Sequence, residues 1–305
     1  MSTLDGEGDS SDQQSTRASS GPGITRKLPY RVRRGILRGA TVGSALLLGF
    51  LMVFPIYWMA QNAFKTRLAI NEGVSWLPMG DAFTLERFNI VTNGSVLTYI
   101  TNSIIVTVGT IVTVVVVSLI AGYGLARYDF RGKVNFARFL LLGYLFSPIV
   151  LGLPLYLIWR RVGLLNTHIG LIIALSAVSM PFAVWLMWKY IQTIPEAMEE
   201  SAWIAGAPRW RGFVDVILPQ TTPAIIANAL FAFGLAWNDF TFAQILLPSN
   251  DATTFPPGIL RLVNASFETG YGDFMAVGLL MTVPPLLFAF FLQSYLLKGF
   301  EIRAL

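Results

Sequence analysis

Six stretches of this chain run without Asp, Glu, Lys or Arg over long distances: Gly39 to Phe64, Phe88 to Ala126, Phe139 to Trp159, Val162 to Trp188, Val216 to Asn238 and Phe274 to Leu297. About 20 apolar residues in a helix cross the hydrocarbon layer of a bilayer. The ten-residue alternation of a barrel strand does not produce such runs. The pattern predicts an all-α integral membrane protein with six transmembrane helices, near residues 40–60, 100–123, 138–158, 168–188, 222–246 and 275–297.

Composition agrees with this pattern. The chain has 305 residues, 54% hydrophobic and 13% charged, and its mean hydropathy is +0.60. Soluble domains carry roughly 25% charged residues, so there is too little charge to wet a globular surface. There is no cysteine, which excludes disulfides, thiolate chemistry and cysteine metal sites. A net charge of +5 raises the question of a nucleic-acid partner, but the basic residues sit beside the spans, where topology accounts for them, and no nucleic-acid partner is expected.

Residues 1–23 are rich in Ser, Gly, Asp and Gln and read as disordered. Arg26, Lys27, Arg31, Arg33, Arg34 and Arg38 follow. Residues 1–38 are therefore expected to form a disordered, basic-ended cytoplasmic tail ahead of a transmembrane domain at 39–305. Basic residues stay on the cytoplasmic side. With the N-terminus inside, 16 of the 22 Lys and Arg fall in inner segments, leaving Lys65, Arg67, Arg87, Arg160, Arg161 and Arg261 outside. Both termini are then cytoplasmic. The first apolar run exceeds the 7–15 residues or so of a signal peptide and starts late, so it is expected to be retained.

The loop at 189–221, between spans four and five, carries the most information. Pro195 stands at a favoured first helical position, and Glu196, Glu199 and Glu200 suit the positive end of a helix dipole. Met198, Ala202 and Ala205 form a shallow apolar stripe. Gly206 supplies a stop. A second short amphipathic helix is expected from Pro208 towards Ile217, ended by Pro219 at the membrane surface. By periodicity alone a plain connector is the favoured reading of this segment.

The spacing in that loop resembles the cytoplasmic signature of binding-protein-dependent ABC importer permeases, E-A-A-x3-G-x9-I-x-L-P. Glu200-Ser201-Ala202 takes the E-A-A place, Gly206 follows after three residues, and Val216-Ile217-Leu218-Pro219 closes the motif. Ser201 and Val216 are small departures, and Ala205 stands where the family often has Asp. T-L-E-R-F at 84–88, T-N-S at 101–103, A-G-Y-G-L-A-R-Y-D-F-R-G-K at 121–133, G-L-L-N-T at 163–167 and A-W-N-D at 236–239 recur in the same order. Nearly the whole chain after the tail is similar to the smaller maltose-type permease subunit of the carbohydrate-uptake branch, although the usual longer Gly-rich tail after Lys298-Gly299 is replaced by F-E-I-R-A-L.

The resemblance implies a cytoplasmic coupling helix and a set of partners: a second permease subunit, two ATPase subunits, an extracellular solute-binding protein and the lipid bilayer. It implies that Glu199, Glu200, Ser201, Ala202, Gly206, Leu218 and Pro219 couple to the ATPase. Within that set Glu200 makes the contact, Ala202 allows close approach and Gly206 makes the turn, and spans four and five follow the motion. No G-x-x-x-x-G-K-[S/T] phosphate loop occurs, so the chain is not expected to be an enzyme. It should carry no cofactor or metal, with ATP and Mg bound by the partner subunits.

Asn102, Asn228, Trp237, Asn238 and Asp239 are candidates for the translocation path, because polar groups within spans are functional by default. Trp237 offers a stacking face for a sugar ring. The same residues could serve as helix-to-helix hydrogen bonds and interface anchors. His168, the single histidine, sits at a span boundary. The loop from Pro248 to Asp273 is long enough to reach a partner. Two other classes fit less well. An ion-coupled secondary transporter buries carboxylates or His in mid-span, and the cores here are charge-free. A membrane-embedded enzyme needs convergent acids, bases or metal ligands. An importer of a non-sugar solute would keep the same architecture.

Overall fold

The computed structural model describes residues 30–73, 76–90, 94–143, 146–265 and 270–301. The expected disordered segment at residues 1–29 lies outside the described residues. Among the described residues the regular structure is helical, apart from one isolated bridge between Lys65 and Phe83. The chain divides into two units, one ending at Val53 and the other starting at Phe54.

Helix α1 covers Tyr30–Ala63. It begins inside the segment expected to be a disordered tail, so residues 30–38 are helical. In the first unit, Val42, Leu46, Leu47, Phe50 and Leu51 are all exposed. The second unit contains α2 (Arg67–Asn71), α3 (Val96–Arg127), α4 (Lys133–Gly143), α5 (Pro148–Val162), α6 (His168–Ile191) and α7 (Ala197–Ile204). It continues with α8 (Arg209–Gln220), α9 (Thr222–Trp237), α10 (Thr241–Leu246), α11 (Phe255–Ala265) and α12 (Tyr271–Glu301).

Four helical segments are long and apolar enough to cross a membrane: Arg38–Ala63, Val96–Arg127, His168–Ile191 and Tyr271–Phe291. The number rises to six if each of two bent pairs is one span: α4 with α5, at 93°, and α8 with α9, at 69°. The span expected at 138–158 is instead the bent pair of α4 and α5. Proline explains the break. Pro148 occupies the first turn of α5, with Ser147 held extended before it, because a residue preceding proline is pushed out of the helical region. The fifth span, expected at 222–246, ends instead at Trp237. The Asp239 carboxylate there accepts hydrogen bonds from Phe242 N–H at 3.3 Å and Ala243 N–H at 2.9 Å, starting α10 as a separate helix. The reach from Pro248 to Asp273, expected as a loop, contains α11.

Helices α3, α6 and α9 form the centre. Lipid is as apolar as a leucine side chain, so helices in it associate through close packing and interhelical hydrogen bonds rather than hydrophobic exclusion. Small residues provide the closeness. A Cβ on Gly122 of α3 would lie 2.8 Å from Met187 Cβ and 3.0 Å from the Trp188 nitrogen of α6. One on Gly109 would lie 2.5 Å from Ile172 Cδ1. Val114, Ala183 and Ala232, one from each helix, pack together with no exposure.

One end of this trio buries Leu119, Leu125, Ala126, Val184, Met187, Trp188, Ile191 and Ile217. The opposite end packs α10 and α5 against α6, with Gly152 of α5 facing Ile245. There, segment 64–88 is pinned to the start of α12. The buried Arg87 donates from Nε to the Lys65 carbonyl and from Nη1 to Asp273 Oδ1 at 3.0 Å. Lys65 is itself buried and donates to Gln61 Oε1 at 3.0 Å; burial lowers its ammonium pKa below the ordinary value.

Gly122→Val should destabilise the protein by about 1–3 kcal/mol through overpacking against Met187 and the α6 backbone. Thermal unfolding of the detergent-solubilised protein checks this, and an unchanged midpoint would contradict the close approach of α3 and α6.

Candidate functional site

The loop between α6 and α9 folds into two short helices around a glycine turn. Thr193 and Ile194 leave α6 through turns. Pro195 falls one residue before the N-cap, Glu196, rather than at the first helical position that the sequence suggested. Proline needs no partner for its missing N–H there, and its carbonyl accepts from Met198 N at 3.2 Å.

Helix α7 then ends in a complete Schellman arrangement. Gly206 N donates to Trp203 O at 2.9 Å, and Ala207 N donates to Ala202 O at 3.0 Å. Gly206 has φ +89°, a left-handed conformation that glycine adopts without the steric cost of a Cβ. A Cβ there would meet nothing within 4 Å, so backbone conformation rather than space makes glycine the fitting residue.

The face that α7 turns inward is not the expected one. Glu199 is 1% exposed and Ala202 and Trp203 are partly buried, whereas Met198 and Ile204 are 44% and 87% exposed. The stripe of Met198, Ala202 and Ala205 therefore lies largely on the outer side. Glu199, grouped from the sequence with the ATPase contacts, points into its own chain instead. Its Oε2 accepts from Tyr123 Oη at 2.9 Å and its Oε1 from Arg127 Nε at 2.5 Å. Two groups at the end of α3 thus satisfy the carboxylate, as a buried charge requires.

Glu200 and Ser201 are exposed, and Ser201 Oγ donates to Ala197 O at 2.7 Å. The second helix packs beneath the first. A Cβ on Gly212 would lie 2.7 Å from Trp203 Nε1, so this glycine lets the indole lie directly on α8. Phe213 meets Tyr123 edge-on, with centroids 4.8 Å apart, a favoured aromatic geometry.

Residues Gly212–Ile217 of α8 form a π turn. Pro219 has no N–H to give the carbonyl four residues back, and π turns are frequent at functional sites. Pro219 does not end the helix as expected, because α8 continues to Gln220 and the bend into α9 follows at Thr221. Leu218 is partly buried and Pro219 exposed. The exposed surface of the loop therefore carries Met198, Glu200, Ile204, Arg209, Trp210 and Arg211.

The candidates for a translocation path are not gathered into one site. Asn228 is fully buried in α9 and donates to Ser118 Oγ of α3 and to Ala183 O of α6, both at 3.1 Å. Asn102 of α3 donates to the carbonyls of Asp251 at 2.7 Å and Thr253 at 2.8 Å. Trp237 is 2% exposed and donates from Nε1 to Met281 O at 3.1 Å. Its ring stacks on Phe233, so, contrary to the expected stacking role, it has no free face for a sugar ring. Asn238 is exposed and donates to Gly234 O at 2.8 Å, while Asp239 caps α10. His168 Nε2 lies 3.1 Å from Ala252 O. These groups hold helices and the 248–265 segment together.

Residues 114–302, more than half of the chain, match the family described as "Binding-protein-dependent transport system inner membrane component". The chain belongs to this family. It is 31% identical over 267 residues to the diacetylchitobiose uptake system permease protein DasC of Streptomyces coelicolor, covering 86% of this chain and 94% of that one. It is 30% identical over 268 residues to the trehalose/maltose transport system permease protein MalG of Thermococcus litoralis, with the same coverage. Among solved structures it matches a bacterial ABC transporter involved in the import of the acidic polysaccharide alginate, with a TM-score of 0.74, 20% identity, and 87% of this chain and 96% of that chain covered. At that identity the likeness establishes the fold.

Arg127, Tyr123, Trp203 and Gly212 shape this site without belonging to the motif in the sequence. A tryptophan four residues after Glu199 was the signal available, since residues at i and i+4 share a helix face. Asn102→Ala should loosen the 251–255 segment by about 1–2 kcal/mol for the two lost hydrogen bonds. Hydrogen exchange should then speed up at Phe255 N–H, which donates to Ser103 Oγ, and unchanged exchange would argue against the pinning role.

Proposed function

We propose that this chain is the permease subunit of an ATP-binding-cassette importer for a sugar or oligosaccharide. It forms half of the translocation pathway together with a second permease subunit. It crosses the membrane six times, with α4–α5 counted as one bent span and the fifth crossing made by α9, into which the cytoplasmic α8 leads. Both termini and the α7–α8 loop lie in the cytoplasm. The charge bias of the segments supports that orientation.

The observation that carries the reading is the shape of the loop. A glycine-terminated helix holds Met198 and the 87% exposed Ile204 outward, with Trp210 at 62% exposure on the following helix. Large apolar side chains on a short polar-flanked loop mark a protein contact. Glu200, Arg209 and Arg211 beside them provide charges for a complementary partner surface. Two ATPase subunits binding ATP and Mg are the partners this surface fits, and an extracellular solute-binding protein delivers the cargo. Glu200, Ser201, Ala202 and Gly206 belong to the docking element, Leu218 and Pro219 to its junction with α9. The names of the relatives favour a carbohydrate. Ligand screening on a co-purified binding protein decides between a sugar and another solute carried by the same architecture.

Three measurements test this. A single cysteine placed at Ile204, in a chain that has none of its own, should react with an impermeant thiol reagent only in inside-out vesicles; labelling from outside the cell would overturn the topology. Ile204→Asp should weaken recovery of the ATPase subunits about tenfold, the scale of one apolar anchor at an interface. Gly206→Leu should leave membrane insertion intact and uncouple uptake from ATP hydrolysis, since a branched side chain at that φ costs about 1–3 kcal/mol. Normal ATP-driven uptake by Gly206→Leu would refute the assigned role.

A further inference from the structure

The covalent route from the docking helix into the membrane is poorly built for carrying force. Between α6 and α7 the chain passes through turns from Gln192 to Pro195, and between α7 and α8 it passes through the Gly206 turn. Neither joint is a continuous helix. A push on α7 transmitted along the backbone alone would be absorbed by changes of φ and ψ at these joints.

The last turn of α3 bypasses both joints. The Arg127 guanidinium donates from Nε to Glu199 Oε1 on α7 and from Nη2 to the Ile194 carbonyl at 3.1 Å in the first joint. Its Nη1 lies 3.8 Å from Glu196 Oε1 at the N-cap of α7. Tyr123, one turn earlier, donates to the other oxygen of Glu199 at 2.9 Å and carries Phe213 of α8 on its ring edge. The Arg127 side chain is 9% exposed and that of Glu199 1%. Removed from water, such a charge-assisted fork is short, directional and stiff. It is also placed well, because a cation at a helix C-terminus is favoured by the helix dipole.

Just above it, Gly122 brings α3 into contact with the backbone of α6 at Trp188. Further along, Asn228 ties α9 to both α3 and α6. The docking helix is therefore bonded to the end of α3, one member of a tightly tied three-helix body.

We propose that Arg127 is a positioning residue for coupling, which locks α7 to the end of α3 so that the stroke of the loop enters the membrane domain through the second span. Motion carried along the chain to the fourth and fifth spans is then secondary. Glu199 and Tyr123 form the other half of the lock. The inference rests on the importer reading above. It assigns Glu199 to force transmission within the chain and leaves the ATPase contact to its neighbour, Glu200.

The test uses the complete transporter, assembled with its own partner subunits and binding protein in vesicles. The readout is solute taken up per ATP hydrolysed, at matched amounts of assembled complex. Arg127→Gln should lower that ratio about tenfold, the scale of losing one buried charge-assisted hydrogen bond, while the ATPase subunits stay bound. Glu199→Gln should do the same, and the double variant should be no worse than either single one, because both act through one contact. A residue needed only for folding would reduce assembled complex and leave the ratio of what remains intact.

A cross-link keeps the inference falsifiable if the glutamine variants assemble poorly. Cysteines replacing Arg127 and Glu199 would be the only two in the chain. Bridging them with a short bis-maleimide should restore the ratio. If the bridge leaves the ratio low, or abolishes the remaining uptake, α7 does not move with α3 and the inference is overturned. If the unaltered complex shows no ATP-driven uptake, the importer reading itself fails. If the unaltered complex works and Arg127→Gln keeps its full ratio, only the lock fails.

Discussion

The close approach of α3 to α6 is the contact on which the rest of this structure depends. Within a bilayer, removal of apolar surface from water does not hold helices together. Backbone proximity has to do so, and Gly122 and Gly109 permit it where any side chain would collide with Met187, the Trp188 backbone or Ile172. Once these two helices touch, α9 can lay Asn228 across both of them. A buried amide of this kind is costly unless its donors are taken, so the same residue that bonds the trio also requires the trio to be present.

The α7–α8 loop is built on this base rather than hung from it. Ile194 and Ile217, one from each side of the loop, are buried in the same cluster as Leu125, Met187 and Trp188. Glu199 is buried against Arg127 and Tyr123. The α7–α8 pair is consequently an ordered extension of the membrane core, with one face committed inward and the other left apolar and exposed. In the proposed importer, that division lets a short helix be a docking surface and a mechanical element at once. The opposite end follows a similar plan: polar groups at Asn102, Ser103, His168 and Arg261 hold the 248–265 segment down, and Arg87 with Asp273 fastens the segment after α1 to α12.

Much of this was legible in the sequence. Charge-free runs locate membrane helices because a charge in hydrocarbon is expensive, and that cost applies residue by residue without reference to neighbours. The helix–Gly–helix form of the loop was equally readable, because the left-handed turn at Gly206 is a local backbone property. The family, too, was written in the spacing of Glu200, Gly206, Leu218 and Pro219.

The tertiary structure alone decided which way the polar residues point and where the long apolar runs break. Glu199 and Glu200 are adjacent and chemically identical, yet one is buried and the other exposed, because only the position of Arg127, 72 residues earlier, distinguishes them. For Trp237 and Asn228 the sequence leaves substrate contact and helix-to-helix bonding both open, and their hydrogen bonds go to neighbouring helices. The run from 222 to 246 is apolar enough to continue, but the carboxylate of Asp239 starts a new helix there. Hydropathy reports the cost of leaving water, which a single chain position determines. The direction of a hydrogen bond depends on a partner supplied from elsewhere in the fold.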